Sequence, residues 1–346
     1  ISTDPITYLD KDGNQQVCTA YTVLTSETKA SILDYADKWY DLPAGWYVVE
    51  GNVTITPRLD THGAVNLILT NGSHLTAEWG IDVKVGDTFT VYAQSTDEGT
   101  MGRLTACLPA DFNLDRMVHY SVWPDSGMAG IGSSARWREG NDGIRESEGT
   151  IVINGGNIRA KGQDNASAIG GTRAEEIEFR STDRGEVYNR RQGGSITING
   201  GTVKATAEGH GFGIGGSRFE IIGTATVTIN GGTIDATANH NNAAIGDKSK
   251  QKSSVTINGG VIHAVGKGSA AGIGSMGDIR ITGGELTVSA EGSGAAIGGF
   301  TDKYSERVNC KSITINGDVI QSISSKDGAC ICLLYTSPSP RDRSLS

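Results

Sequence analysis

Three observations predict an all-β chain, a right-handed parallel β-helix (β-solenoid) with a small N-terminal cap. One short phrase recurs six times along the chain, and a second phrase follows it at a fixed distance. Glycine supplies 49 of the 346 residues, about twice its usual share of roughly 7%.

The first phrase, Ile151-Val-Ile-Asn-Gly-Gly156, returns at Ile196 to Gly201, Val227 to Gly232, Val255 to Gly260, Ile279 to Gly284 and Ile313 to Asp318. The second ends in Ile-Gly: Ala129-Gly-Ile-Gly132, Ala168-Ile-Gly170, Gly213-Ile-Gly215, Ala244-Ile-Gly246, Gly272-Ile-Gly274 and Ala296-Ile-Gly298. Ile153 to Gly170, Ile198 to Gly215, Ile229 to Gly246, Ile257 to Gly274 and Ile281 to Gly298 are each 17 residues apart. Beyond that glycine the length varies, so each unit is a 17-residue core plus one elastic loop.

Alternation explains the core. In Ser195-Ile-Thr-Ile-Asn199, Ile196 and Ile198 face one way and Thr197 the other, as in a half-buried strand. Gly200 and Gly201 permit a bend that a Cβ would hinder. Thr202-Val-Lys-Ala-Thr-Ala207 alternates again with Val203, Ala205 and Ala207 inward, and a third short strand ends at Ile214. Three strands and three turns in as few as 24 residues make one rung. A rung cannot bury its apolar face alone, so rungs stack at roughly 4.8 Å. The right hand follows from parallel crossovers, which take it in roughly 98% of cases. Stacking aligns Asn154, Asn199, Asn230, Asn258 and Asn316 at one turn, with Thr282 as the exception. They read as a structural amide ladder satisfying turn backbone groups.

The regular repeats occupy 129–331, and 46–128 alternates less cleanly, as irregular rungs do. Residues 1–45 are read as the cap or the end of a preceding module, with Thr28 to Trp39 as the helical-looking stretch that covers the open end. The elastic loops leave at one corner, and the long ones are 133–149 and 172–194. Loops on a rigid scaffold are where binding concentrates. Trp137, Arg173, Glu175, Glu176, Tyr188 and Arg190 are therefore the candidate binding residues, the aromatics suited to stacking on a sugar ring.

Other chemistry is weakly represented. A net charge of −9 excludes a nucleic-acid binder, which needs a basic face. No apolar run approaches the roughly 20 residues of a transmembrane helix. Five scattered cysteines form no C-x-x-C pair, and no metal, cofactor or catalytic residue is indicated. Gly209-His-Gly211 resembles a motif of β-helical polygalacturonases, but the companion aspartate patterns are absent, so His210 reads as a turn variant. Gly211-Phe-Gly-Ile-Gly-Gly216 fits a dinucleotide fingerprint only formally, because no helix-forming run follows. Asp10-Lys-Asp-Gly-Asn14 lacks the later Glu of a calcium loop and reads as a turn. The outward Thr197, Thr228, Thr256 and Thr314 lie beside Arg159, Lys204, Asp235 and His263, which argues against an ice-binding face.

Tyr8-Leu-Asp-Lys-Asp-Gly-Asn14, Cys18, Trp46-Tyr-Val-Val49, Leu67-Ile-Leu-Thr-Asn-Gly72 and the Gly-Ile-Gly rungs together resemble a module of large secreted bacterial surface proteins of the gut-anaerobe type, with a pectate-lyase-like fold. The resemblance covers about 1–331 and implies secretion, surface display and further modules on both sides; it carries no active site. At the other end, the 17-residue rule from Ile315 requires Gly at 332, where Cys332 stands. Leu333-Leu-Tyr-Thr-Ser-Pro-Ser-Pro-Arg-Asp342 then resembles the translation of a transposase-type sequencing adapter. Residues 332–346 are accordingly expected to be a non-native tail. The function expected is a non-catalytic, extracellular or cell-surface module for adhesion or glycan binding through loops on one side. The alternatives are a β-helical polysaccharide lyase or glycoside hydrolase, and a structural spacer.

Overall fold

The computed structural model describes residues 1–28, 39–107, 128–133, 149–163, 165–171, 194–216, 224–248, 252–301, 307–316 and 319–332. Three ladders of parallel strands run along it. The first holds the repeated Ile-x-Ile strands: Thr150–Ile153, Ser195–Ile198, Thr224–Ile229, Lys252–Ile257, Asp278–Ile281 and Ser312–Ile315. The second stacks nine strands, from Asn52–Ile55 through Thr202–Ala207 to Val319–Ser325. The third is built from the Ile-Gly pairs, Ile131–Gly132 through Ile297–Gly298 to Ile331–Cys332. Each rung visits the ladders in that order and crosses the elastic segment before returning to the first.

Register places like on like. Ile151, Ile196, Val227, Val255, Ile279 and Ile313 are successive partners, as are Ala160, Ala205, Ala236 and Ala264. A one-residue slip would turn every inward side chain outward, so burial fixes the pairing. The inward residues form one continuous core from Leu24 to Cys310. This is the all-β parallel β-helix expected from the repeat.

The third ladder explains its glycines. A Cβ on Gly170 would stand 1.7 Å from the carbonyl oxygen of Gly215, the next rung's equivalent residue. Gly132, Gly215 and Gly246 likewise meet the carbonyl oxygen of the equivalent glycine in the following rung. Cys332 pairs with Gly298 in the expected register. Residues 333–346, and the tail expected there, lie outside the described residues.

The irregular rungs enter the same ladders. Thr88–Ala93 pairs with Thr150–Ile153, and Arg103–Ala106 with Asn157–Gly162. In the earliest rungs, Trp39–Val49 and Arg58–Leu69 run through the third corner as single strands, shifting register between Pro43 and Gly45. The expected boundary at 45/46 therefore falls inside a strand. Rung residues begin earlier still, with Thr22 paired to Tyr47, Leu24 in the core and Glu27 bridged to Ile55. Residues 29–38 of the helical-looking stretch lie outside the described residues, and Trp39 opens a strand.

Among the described residues, two antiparallel strand pairs cover outer faces. Ile6–Leu9 and Gln15–Cys18 lie over the early first ladder, which there turns Trp46, Val48, Ile68 and Tyr92 outward. Tyr8 sits 5.0 Å from Trp46 and 4.8 Å from Tyr92, ring centre to ring centre. At the other end, Phe300–Thr301 and Arg307–Val308, part of a third-corner segment, fold back over Phe212, Ala243 and Ala271.

Candidate functional site

The candidate binding residues Trp137, Arg173, Glu175, Glu176, Tyr188 and Arg190 all lie outside the described residues. What is described is how their segments are moored. Ser133 N–H donates to Gly170 O at 3.1 Å and Gly149 N–H to Val83 O at 2.9 Å. Gly171 N–H donates to Gly215 O at 3.1 Å, and Gly194 O accepts from Thr226 N–H at 3.3 Å. Both segments thus begin and end on the third corner.

The asparagines at the first corner bond to one another rather than to turn backbone. Asn199 Nδ2 donates to Asn154 Oδ1 at 2.7 Å, Asn230 to Asn199 at 2.7 Å, and Asn258 to Asn230 at 2.8 Å. Thr282 continues the chain by donating its hydroxyl to Asn258 Oδ1 at 2.8 Å. Asn316 joins this position through its backbone, donating N–H to Ile281 O at 2.9 Å. Beside this ladder, a hollow of about 250 Å³ lies between Asn154, Asn199 and the Asp10 to Gly13 turn. Asp10 Oδ1 accepts the N–H groups of Asp12 and Asn14, which closes that turn and, with Asn14 the largest cause, holds the carboxyl below its ordinary range.

His210 is likewise tied into a stack. Its Nδ1 lies 3.0 Å from Asn241 Oδ1, and its ring centre is 5.3 Å from that of His240 in the next rung.

Among the described residues, a polar group that was not anticipated sits at the third corner of the early rungs. Parallel pairing sets Asp41 beside Asp60, and Asp60 beside Asp82, where later rungs carry glycine. Asp60 and Asp82 are only 3% and 0% exposed. Each has a cation: Lys84 Nζ is 2.9 Å from Asp60 Oδ1, and Arg58 Nη2 is 3.8 Å from Asp82 Oδ1. The buried Arg58 guanidinium also donates to the carbonyls of Trp79, Ala129, Ile81 and Gly132, and so sews adjoining turns together. His62 follows Asp60 by two residues, on the same side of the strand. Its Nε2 lies 3.3 Å from Asp41 Oδ1 and 3.5 Å from Asp60 Oδ2. Among the described residues, Asp41, Asp60 and His62 are the three that bring possible metal-ligand atoms together, all within 4.8 Å. The sequence signal was present in Leu59-Asp60 and Ile81-Asp82, which occupy the Ile-Gly position with a carboxylate in place of glycine.

A second buried polar group lies at the third corner of later rungs. Asp247 Oδ1 accepts the Lys248 N–H at 2.6 Å, and Ser253 Oγ lies 2.5 Å from Ser275 Oγ. Burial pushes the Asp247 carboxyl up to about 7, against smaller opposing effects of the Lys248 and Ser253 hydrogen bonds.

No helix among the described residues is long and apolar enough to cross a membrane. No curated protein and no solved structure matches the chain. The beta helix repeat family matches residues 151–173, 196–218, 227–247 and 255–278. Those segments fall on successive rungs of the three ladders, and the match and the strand pairing agree on a parallel β-helix fold.

Proposed function

We propose that this β-helix is a non-catalytic module displayed outside the cell, and that its third-corner segments bind glycans or other surface ligands. The observation that carries this reading is the independence of those segments from the scaffold. Gly274 returns to Asp278 almost at once, whereas Gly170 returns to Ser195 only after the 172–193 segment, yet both rungs keep the same register. A scaffold indifferent to segment length at one corner is suited to presenting recognition surfaces there. The burial of Asp60 and Asp82 beside Lys84 and Arg58 supports a stitching role for these carboxylates rather than general acid–base work, which requires reach to a substrate.

A glycan array and a reducing-sugar assay on the full chain test this. Retention of a defined glycan class, lost when 172–193 is replaced by a short Gly-Ser linker, is the expected result. Release of product without an added cofactor would overturn it.

One observation favours the second reading, a polysaccharide lyase or hydrolase. Asp41, Asp60 and Asp82 stack on successive rungs beside His62. That reading predicts product release that disappears on Asp41→Asn.

A further inference from the structure

We propose that Asp41, Asp60 and His62 bind one divalent first-row transition-metal ion of the zinc class. The backbone sets the three donors. Asp41 and Asp60 are register partners on adjacent parallel strands, and His62 lies two residues beyond Asp60. These residues therefore converge on one side of a two-strand platform rather than on a loop.

The distances from His62 to the two carboxylates suit a shared ion. His62 Nε2 is 3.3 Å from Asp41 Oδ1 and 3.5 Å from Asp60 Oδ2. A single ring nitrogen carries one proton or one lone pair, so it cannot serve both carboxylates with a good hydrogen bond. A tetrahedral ion with arms of about 2.0–2.2 Å requires its ligand atoms to be about 3.3–3.5 Å apart, which matches both separations.

Lys84 orients the site. Its Nζ forms an ion pair with Asp60 Oδ1 at 2.9 Å, while Oδ2 lies toward His62. Outer partners of this kind fix a ligand before the ion arrives. Asp82 faces Arg58 instead and stays outside the donor set. The Asp41 and His62 side chains are 71% and 47% exposed, so an ion can enter from solvent and keep its remaining position for water or an incoming ligand. An imidazole nitrogen selects zinc-class ions over calcium or magnesium, which prefer all-oxygen sites.

The test is isothermal titration of the tag-free full chain with ZnCl2, and separately with CaCl2, at neutral pH. One zinc per chain is expected, with calcium at least tenfold weaker. His62→Ala and Asp41→Asn, both at exposed positions, should each weaken zinc at least tenfold while the metal-free circular-dichroism melt stays unchanged. Cys330→Ser, which removes an exposed thiol, should bind zinc as the parent does. Absence of one-to-one zinc uptake, equal zinc binding by His62→Ala, or calcium binding as tight as zinc would each overturn the proposal. Glycan retention is read separately, so failure of this site leaves the display reading standing.

Discussion

A Cβ on Gly215 would stand 1.7 Å from the carbonyl oxygen of Gly246, its partner in the next rung. The obstacle is backbone in a stacked sheet and cannot step aside. Gly215→Ala is expected to cost at least about 3 kcal/mol in urea denaturation. Gly86 is the control. Its φ is +92°, yet nothing lies within 4 Å of an added Cβ. Gly86→Ala should then cost only the backbone strain, about 1–2 kcal/mol. Equal losses for the two variants would show that steric contact between rungs is not what selects glycine.

Arg58 is expected to be indispensable as a shape as much as a charge. Two of its nitrogens reach four carbonyls, and the same group faces the buried Asp82. Arg58→Ala should cost about 3–5 kcal/mol, because it removes four hydrogen bonds to backbone carbonyls and leaves a buried carboxylate without this counter-charge. Arg58→Lys should recover little, since an ammonium cannot reproduce the planar fork. Chemical denaturation of both variants checks this; full recovery by lysine would reduce the residue to a counter-charge.

Asp247 gives stability a pH slope of known sign. Its folded carboxyl titrates near 7, above the ordinary 3.8, chiefly through burial. At pH below about 4 folded and unfolded chains hold the proton alike. As pH rises from about 4 to 7 the unfolded chain is ionised while the folded one keeps its proton, so this contribution to stability is progressively lost over that range. Asp247→Asn should remove that slope. Its stability relative to the parent should rise by on the order of 3 kcal/mol between pH 4 and pH 8. Urea titrations at the two pH values measure it, and a constant difference would contradict the assignment.

Tyr8 is expected to hold the N-terminal hairpin down. Its ring meets both Trp46 and Tyr92, which themselves stack with centres 5.2 Å apart. Tyr8→Ala should weaken docking by about 2 kcal/mol and expose residues 1–23 to limited proteolysis, with the rungs beyond Thr88 remaining protected. Unchanged cleavage at the hairpin would mean that Cys18 and Tyr21, which share its apolar cluster, suffice.

The regular rungs were legible because stacking demands that one position keep one residue type. Ile169 over Ile214 and Ala205 over Ala236 are the repeat itself, seen in space. The early rungs were harder to read for a definite reason. Where Trp39–Val49 and Arg58–Leu69 run straight through the third corner, the glycine that punctuates later rungs is gone. The same change hid the polar site, since Asp60 and Asp82 replace glycine at positions recognisable only after pairing is known. The asparagine column was visible in sequence, but its bonding was not. Spacing alone does not say whether an amide turns toward backbone or toward its neighbour, and stacked side chains at the first corner turn toward each other.

That column also has a direction. The Thr282 hydroxyl and the Asn258, Asn230 and Asn199 amides each donate to the side-chain oxygen of the rung before, back to Asn154. The dipoles therefore add head to tail, and each bond polarises the next. An interior member must both give and accept, so Asn or Thr can serve there whereas a carboxylate breaks the relay. The solenoid is a polar filament in miniature: a rung inserted among these members extends the relay only if it brings a donor facing backwards and an acceptor facing forwards.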